Sequence, residues 1–223
     1  MTRIVRPVPT PSREIPLVVG AIAASGDLEK APAGCDVVEL RLDSLGTGEK
    51  VHEFAESCPL PLLVTARGPD EGGQSEWTLK QRAEAYLSFL PYAAFLDIEL
   101  RDLEECREIR QLARQRKIPV IGSFHDFETT PPLDHLLEKL DGDADIYKFA
   151  LMTNSTDDVR IHLDLLKVRP STLMSVMGMG PLGAAARPLM AKAGSVLNYG
   201  YLGSTPTAPD QWPAALLKES LSI

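Results

Sequence analysis

Eight short apolar runs, spaced along the whole chain with helix-like segments between them, constrain what this sequence can fold into. They are LVVGAIA (17–23), DVVELRLD (36–43), LPLLVTAR (60–67), AAFLDIEL (93–100), IPVIGSFHDF (118–127), ADIYKFALM (144–152), TLMSVMG (172–178) and VLNYGYLG (196–203). Between them the periodicity changes. Over 77–90, Leu79, Ala83, Tyr86, Leu87 and Leu90 fall on one helical stripe. Over 155–168, Val159, Leu163 and Leu166 do the same behind Ser155 and Asp158, spaced as a capping box. A third helix is expected over 101–116, acidic early and basic late, as the helix dipole prefers. Strand–helix alternation of this kind builds a parallel sheet with helices outside. Eight units in 223 residues fit a single-domain α/β protein, a (β/α)8 TIM barrel over residues 15–223 with a leader at 1–14, mobile or covering the barrel bottom. A doubly wound open sheet is the competing architecture, but GAIAASGD is a poor match to the glycine-rich phosphate loop it normally carries.

Charge and cysteine usage narrow the class of function. Lys and Arg number 23 against 31 Asp and Glu, a net charge of −8, which argues against a general nucleic-acid or anionic-membrane binder. An anionic small substrate would need a local cationic pocket. Cys35, Cys58 and Cys106 are odd in number and form no CxxC pattern, as in a reduced cytoplasmic chain without structural zinc. Arg3, Arg6 and Arg13 ahead of IPLVVGAIAAS mimic a signal peptide. Four prolines before residue 17, Glu14, and Gly20 within a short apolar core favour a first buried strand instead.

The charges inside the strands carry the chemistry. Side chains alternate faces along a strand, so Glu39, Arg41 and Asp43 share one face of ELRLD while the leucines face the helices. The same parity turns Thr65 with Arg67, Asp97 with Glu99, Ser123 with His125, and Ile146 with Lys148 and Ala150 toward the barrel axis. Most lie late in their strands, at the rim where barrel active sites are built. Buried charges are costly unless they pair or do chemistry, and an ion network accounts for some of these. Lys148, between Tyr147 and Phe149, reads as a lone ammonium. Desolvation and nearby Arg41 or Arg67 would favour its neutral form, the one a Schiff-base nucleophile needs. His125, on the neighbouring strand, is the matching general acid and base. His52, His135 and His162 fall on helices or their flanks and read as solvated. No HExxH or close Cys/His cluster suggests a metal.

Three loops add to the rim: RGPDEGGQSE with Arg67 and Glu71, MGMGPLGAAAR with Arg187 at a helix start, and LGSTPTAPDQ with Gln211. Glycines 178–183 suit a phosphate cradle, though without a P-loop ending; an arginine beside a glutamine and a hydroxyl suits a carboxylate equally. In order, ELRLD (39–43), Thr65 and Arg67 with EGG (71–73), DIEL (97–100), SFHDF with TP (123–131), DIYKFA (145–150), MGMGPLGAAAR (177–187) and TAPDQ (207–211) resemble the type I 3-dehydroquinate dehydratases, enzymes of the shikimate pathway, from about residue 17 to 212.

The resemblance implies that Lys148 forms an imine with the C3 ketone of 3-dehydroquinate. His125 would take the C2 proton and return it to the departing C1 hydroxyl, with Glu71 orienting the histidine. It implies that Glu39, Arg41 and Arg67 hold ring hydroxyls and the imine-forming region. Arg187, Thr207 and Gln211 would bind the carboxylate under a lid at 201–211. It implies no external cofactor and a possible homodimer; the charge already argues against a membrane or nucleic-acid partner. Three residues depart from the family pattern: Ala186 and Thr207 where serine is usual, and Asp210 in place of glycine. Asp210 would sit in a left-handed turn, cap the last helix, or repel the substrate carboxylate. The other readings are a lysine-dependent aldolase-like barrel and a non-catalytic binding barrel.

Overall fold

The computed structural model describes residues 9–29, 32–204 and 206–222. All eight apolar runs form strands: β1 (Leu17–Ile22), β2 (Val37–Arg41), β3 (Leu62–Thr65), β4 (Ala93–Glu99), β5 (Val120–Asp126), β6 (Ile146–Met152), β7 (Met174–Met179) and β8 (Leu197–Tyr201). The helices are α1 (Leu42–Leu45), α2 (Glu49–Ser57), α3 (Leu79–Phe89), α4 (Arg107–Gln115), α5 (Leu133–Glu138), α6 (Thr156–Val168), α7 (Gly183–Lys192) and α8 (Ala214–Leu221). All strands are parallel, in the order β7-β6-β5-β4-β3-β2-β1-β8. This is the expected (β/α)8 barrel, nearly closed. The gap lies between β7 and β8, where side chains replace a backbone ladder. Val176 N–H donates to Ser195 Oγ (3.0 Å), the Ser175 hydroxyl to the Leu197 carbonyl, and Val196 N–H to the Met174 carbonyl (2.9 Å).

Strand parity sorts the core into two shells. Val38, Leu40, Val64, Leu96 and Ile98 face the helices. Val37, Leu63, Phe95, Ile121 and Ile146 fill the barrel axis below the polar layer. Above them the inward positions become Glu39, Thr65, Asp97, Ser123 and Lys148, all buried. Residues 1–8 of the expected leader lie outside the described residues. Arg13 donates to the Leu166 carbonyl near the end of α6, at the barrel bottom.

Several local expectations change. β2 ends at Arg41, and Asp43 lies in the short α1 rather than in the strand; it is still buried, because it accepts two hydrogen bonds from Arg41. The expected helix at 101–116 starts late, after a 3-10 turn at Leu100–Asp102. On α3 the inner stripe is Arg82, Ala85, Tyr86 and Phe89, and Leu87 is exposed. The stripe rotates because Arg82 turns inward to Asp102 (2.8 Å) and Glu99 (3.4 Å). The capping box of α6 forms as read: Asp158 N–H donates to Ser155 Oγ (3.2 Å) and Ser155 N–H to the Asp158 carboxylate (2.8 Å). No helix among the described residues is long and apolar enough to cross a membrane.

His162 is not solvated. It sits on the buried stripe of α6 with Leu165 and Leu166, its Nε2 3.1 Å from the Thr130 hydroxyl, which donates to the Met152 carbonyl. Burial pushes its pKa down to about 4 from 6.5. The unfolded chain therefore takes up this proton first as pH falls, so the stability present above pH 6.5 declines until about pH 4. At 1.36 kcal/mol per pH unit the loss amounts to about 3 kcal/mol. Urea midpoints measured between pH 7 and 4 should fall less steeply in His162→Gln than in the parent; parallel slopes would contradict this origin.

Candidate active site

The polar layer converges on Asp97, which is fully buried on β4. It accepts from Lys148 Nζ (2.8 Å), Arg67 Nη2 (2.7 Å) and Ser123 Oγ (2.6 Å). Strand register makes this possible: Thr65 pairs with Asp97 across β3 and β4, and Ser123 with Lys148 across β5 and β6. Burial alone would raise the Asp97 pKa, but Arg67 and then Lys148 outweigh it and hold the carboxyl well below the usual range. The reading of Lys148 as a lone ammonium is thus corrected. It is 4% exposed and ion-paired, with Glu39 Oε1 4.0 Å away and the Tyr199 ring centre 4.1 Å from Nζ. Glu39 itself accepts from the Thr65 hydroxyl (2.7 Å).

His125, late in β5, faces the same space. Its Nδ1 lies 2.9 Å from Glu71 Oε2, which also accepts from the His125 backbone N–H (3.0 Å). Glu71 is carried by a 3-10 turn, Pro69–Glu71, that ends in a left-handed Gly72 (φ 84°). A Cβ on Gly72 would come 2.6 Å from the Phe127 ring, so this glycine lets the turn close against the loop after His125. Burial, then Arg67, Lys148 and Arg41, pushes the His125 pKa well below 6.5. Burial also pushes the Glu71 carboxyl up to about 7, against Arg67. A neutral imidazole donating Nδ1–H to a carboxylate leaves Nε2 as a base.

Arg41 is held by both oxygens of Asp43 (2.9 and 2.8 Å) and by the Gly72 carbonyl (3.3 Å). Arg67 reaches Ser123 (2.6 Å) as well as Asp97. Arg187 lies within α7 rather than at its start. It is buried, its Nη1 donates to the Tyr199 carbonyl (2.8 Å), and its Nε has no partner among the described residues. Burial, opposed by Asp210, lowers its pKa to about 10. α7 comes this close to β7 because Gly183 and Gly178 face one another: a Cβ on Gly183 would sit 3.0 Å from the Gly178 backbone. That packing, with Ala186 against Gly178, accounts for Gly178 and Gly183 of the run that suggested a phosphate cradle, while Gly180 is a left-handed turn (φ 76°) against Met152. Thr207 donates through Oγ1 (2.9 Å) and its backbone N–H (2.8 Å) to Gln211 Oε1. Asp210 adopts the left-handed turn (φ 52°), and α8 is preceded by Pro213 without a side-chain cap, which removes the capping alternative.

One pocket is lined by all nine residues singled out from the sequence: Glu39, Arg41, Arg67, Glu71, His125, Lys148, Arg187, Thr207 and Gln211. Tyr199, Met177, Met179 and Phe127 also line it and were not anticipated. Inward parity on β7 and β8 was the available signal for the first three. No group of three or more His, Cys, Asp or Glu side chains among the described residues is placed to hold a metal ion.

A sequence profile described as Type I 3-dehydroquinase matches residues 16–223. The 3-dehydroquinate dehydratase of Thermodesulfovibrio yellowstonii is 34% identical over 186 residues, covering 80% of each chain. That of Methanocella arvoryzae is 32% identical, covering 93% of this chain and 96% of its own. Among solved structures, the Geobacillus kaustophilus 3-dehydroquinate dehydratase superposes with a TM-score of 0.82 at 23% identity, over 97% of this chain and 96% of that one. Profile, sequence relatives and fold agree: the chain belongs to the type I 3-dehydroquinase family.

Proposed function

We propose that this protein dehydrates 3-dehydroquinate to 3-dehydroshikimate through an imine on Lys148, with His125 as general acid and base. The observation that carries this reading is a buried lysine and a histidine on neighbouring strands, lining one pocket, with burial and Arg67 favouring the histidine's neutral form. Lys148 adds to the C3 ketone and loses water, leaving a cationic imine beside Asp97. The imine draws electrons from C2 as His125 Nε2 removes the C2 proton. The enamine then expels the C1 hydroxyl, which leaves as water with the proton His125 returns, and hydrolysis of the imine frees the product. Glu71 orients the imidazole through Nδ1. Glu39, Arg41 and Arg67 line the ring-facing side. Arg187, with Thr207 and Gln211, receives the carboxylate. The sugar-phosphate aldolase alternative is weakened, because Gly178 and Gly183 serve the packing of α7 onto β7 and Gly180 packs against Met152.

Borohydride reduction in the presence of 3-dehydroquinate should leave a mass increment on the peptide containing Lys148, absent in Lys148→Ala. His125→Ala should retain trapping while losing turnover by about 10²–10⁴-fold, the usual scale of general acid–base catalysis. An adduct that survives Lys148→Ala refutes the proposal. Because Glu71 must be ionised to accept from Nδ1–H, kcat/KM should fall as pH drops through about 7. That limb should be missing from the reduced activity of Glu71→Gln. Arg187→Ala should raise KM by roughly 10–100-fold, matching the loss of a charge-assisted bond, with a smaller change in kcat.

A further inference from the structure

The phenol of Tyr199 has no part in the roles assigned above. It is buried, lines the substrate pocket from β8, and presents its ring face to Lys148 Nζ at 4.1 Å. Its hydroxyl is shut off from bulk water and has no hydrogen-bond partner among the described residues. Buried hydroxyls are almost always paired, and leaving one unpaired costs roughly 1–3 kcal/mol. An unpaired one lining a ligand pocket is paired when the ligand brings the missing atom. Burial, then the Asp97 and Glu39 carboxylates, pushes this phenol well above its ordinary pKa of 10. It therefore remains protonated and donates. The contact of its ring with Lys148 Nζ places it at the Lys148 end of the pocket.

We infer that Tyr199 is a further catalytic residue, its hydroxyl donating a hydrogen bond to the oxygen on the carbon that Lys148 attacks. This rests on the imine reading above. As the nitrogen lone pair adds to the ketone carbon, the C=O π pair moves onto that oxygen, and the phenol stabilises the charge it gathers. The oxygen then leaves as water. Over the whole step, ketone plus ammonium gives protonated imine plus water, and the phenol ends with its own proton. The backbone carbonyl of Tyr199 meanwhile holds Arg187 (2.8 Å), so one residue serves both ends of the substrate.

Tyr199→Phe tests this, since it keeps the ring against Lys148 and the backbone bond to Arg187. Mixing 3-dehydroquinate and borohydride with each protein, and following the reduced adduct by intact mass against time, reads imine formation directly. Steady-state constants and the melting temperature of the ligand-free protein complete the set. The variant should form the adduct roughly 10–100-fold more slowly, with kcat/KM falling in step. Its melting temperature should be unchanged or higher, because an unpaired buried hydroxyl has been removed. Wild-type rates of adduct formation and turnover in Tyr199→Phe overturn the inference, whatever the melting temperature does, while leaving the imine reading intact. Absence of a reducible adduct at Lys148 in the parent protein overturns both.

Discussion

A single carboxylate with no solvent contact, Asp97, binds Lys148 and Arg67 at once, and the rest of the polar layer is arranged around that contact. Its partners come from β3–α3, β5 and β6, so one side chain on β4 ties four successive strands together at the level of the pocket floor. Such an arrangement is costly to assemble, and removing one member of a buried pair typically costs about 3–5 kcal/mol. Its return is geometric. The lysine nitrogen is fixed against one oxygen of its counter-ion and an aromatic face, while Arg67 takes the other oxygen and Ser123. A protonated imine would occupy the same place as the ammonium and inherit the same counter-ion.

The two ends of the pocket differ in how their charge is balanced. Around Lys148, cations and carboxylates alternate at hydrogen-bond distance. Around Arg187, burial is as deep but no carboxylate reaches bonding distance among the described residues, and only the more distant Asp210 opposes the loss of charge. At the first end the charges are balanced without ligand, so Lys148 is held in one place before anything binds. The second end is incomplete, which gives an anionic group a place to bind on a chain whose overall charge of −8 would otherwise repel it.

Strand positions were legible because parallel barrel strands are short, apolar and separated by helices. The inward charges were legible because strand parity is strictly two. Glu39, Arg41, Arg67, His125 and Lys148 follow from that parity alone. What escaped were polar residues buried on helices and ion pairs between distant strands. Arg82 and His162 look like solvent-facing residues to any hydrophobic pattern, yet each sits on the inner stripe because a partner waits there: Asp102 and Glu99 for one, the Thr130 hydroxyl for the other. The pairing of Lys148 with Asp97 spans 51 positions in sequence and depends on barrel curvature, which parity does not encode. Tyr199 was hidden for the opposite reason: an aromatic residue in an apolar run reads as core, and only its unpaired hydroxyl separates it from the packing around it.

The seam between β7 and β8 follows from the serines that close it. Where neighbouring strands are joined by backbone ladders, widening the ring breaks several amide bonds together. Here Ser175 and Ser195 bear the join through their hydroxyls, with one main-chain bond at the foot. Hydroxyls rotate and re-pair with water at little cost, so the circumference of the barrel is least rigidly set on this side. Arg187 and Tyr199 stand on the two flanks of the same seam. The elasticity of the ring is therefore concentrated beside the Lys148 strand, between β7 and the strand that carries Tyr199, while continuous backbone ladders from β8 through β1 to β7 hold the rest of the circumference.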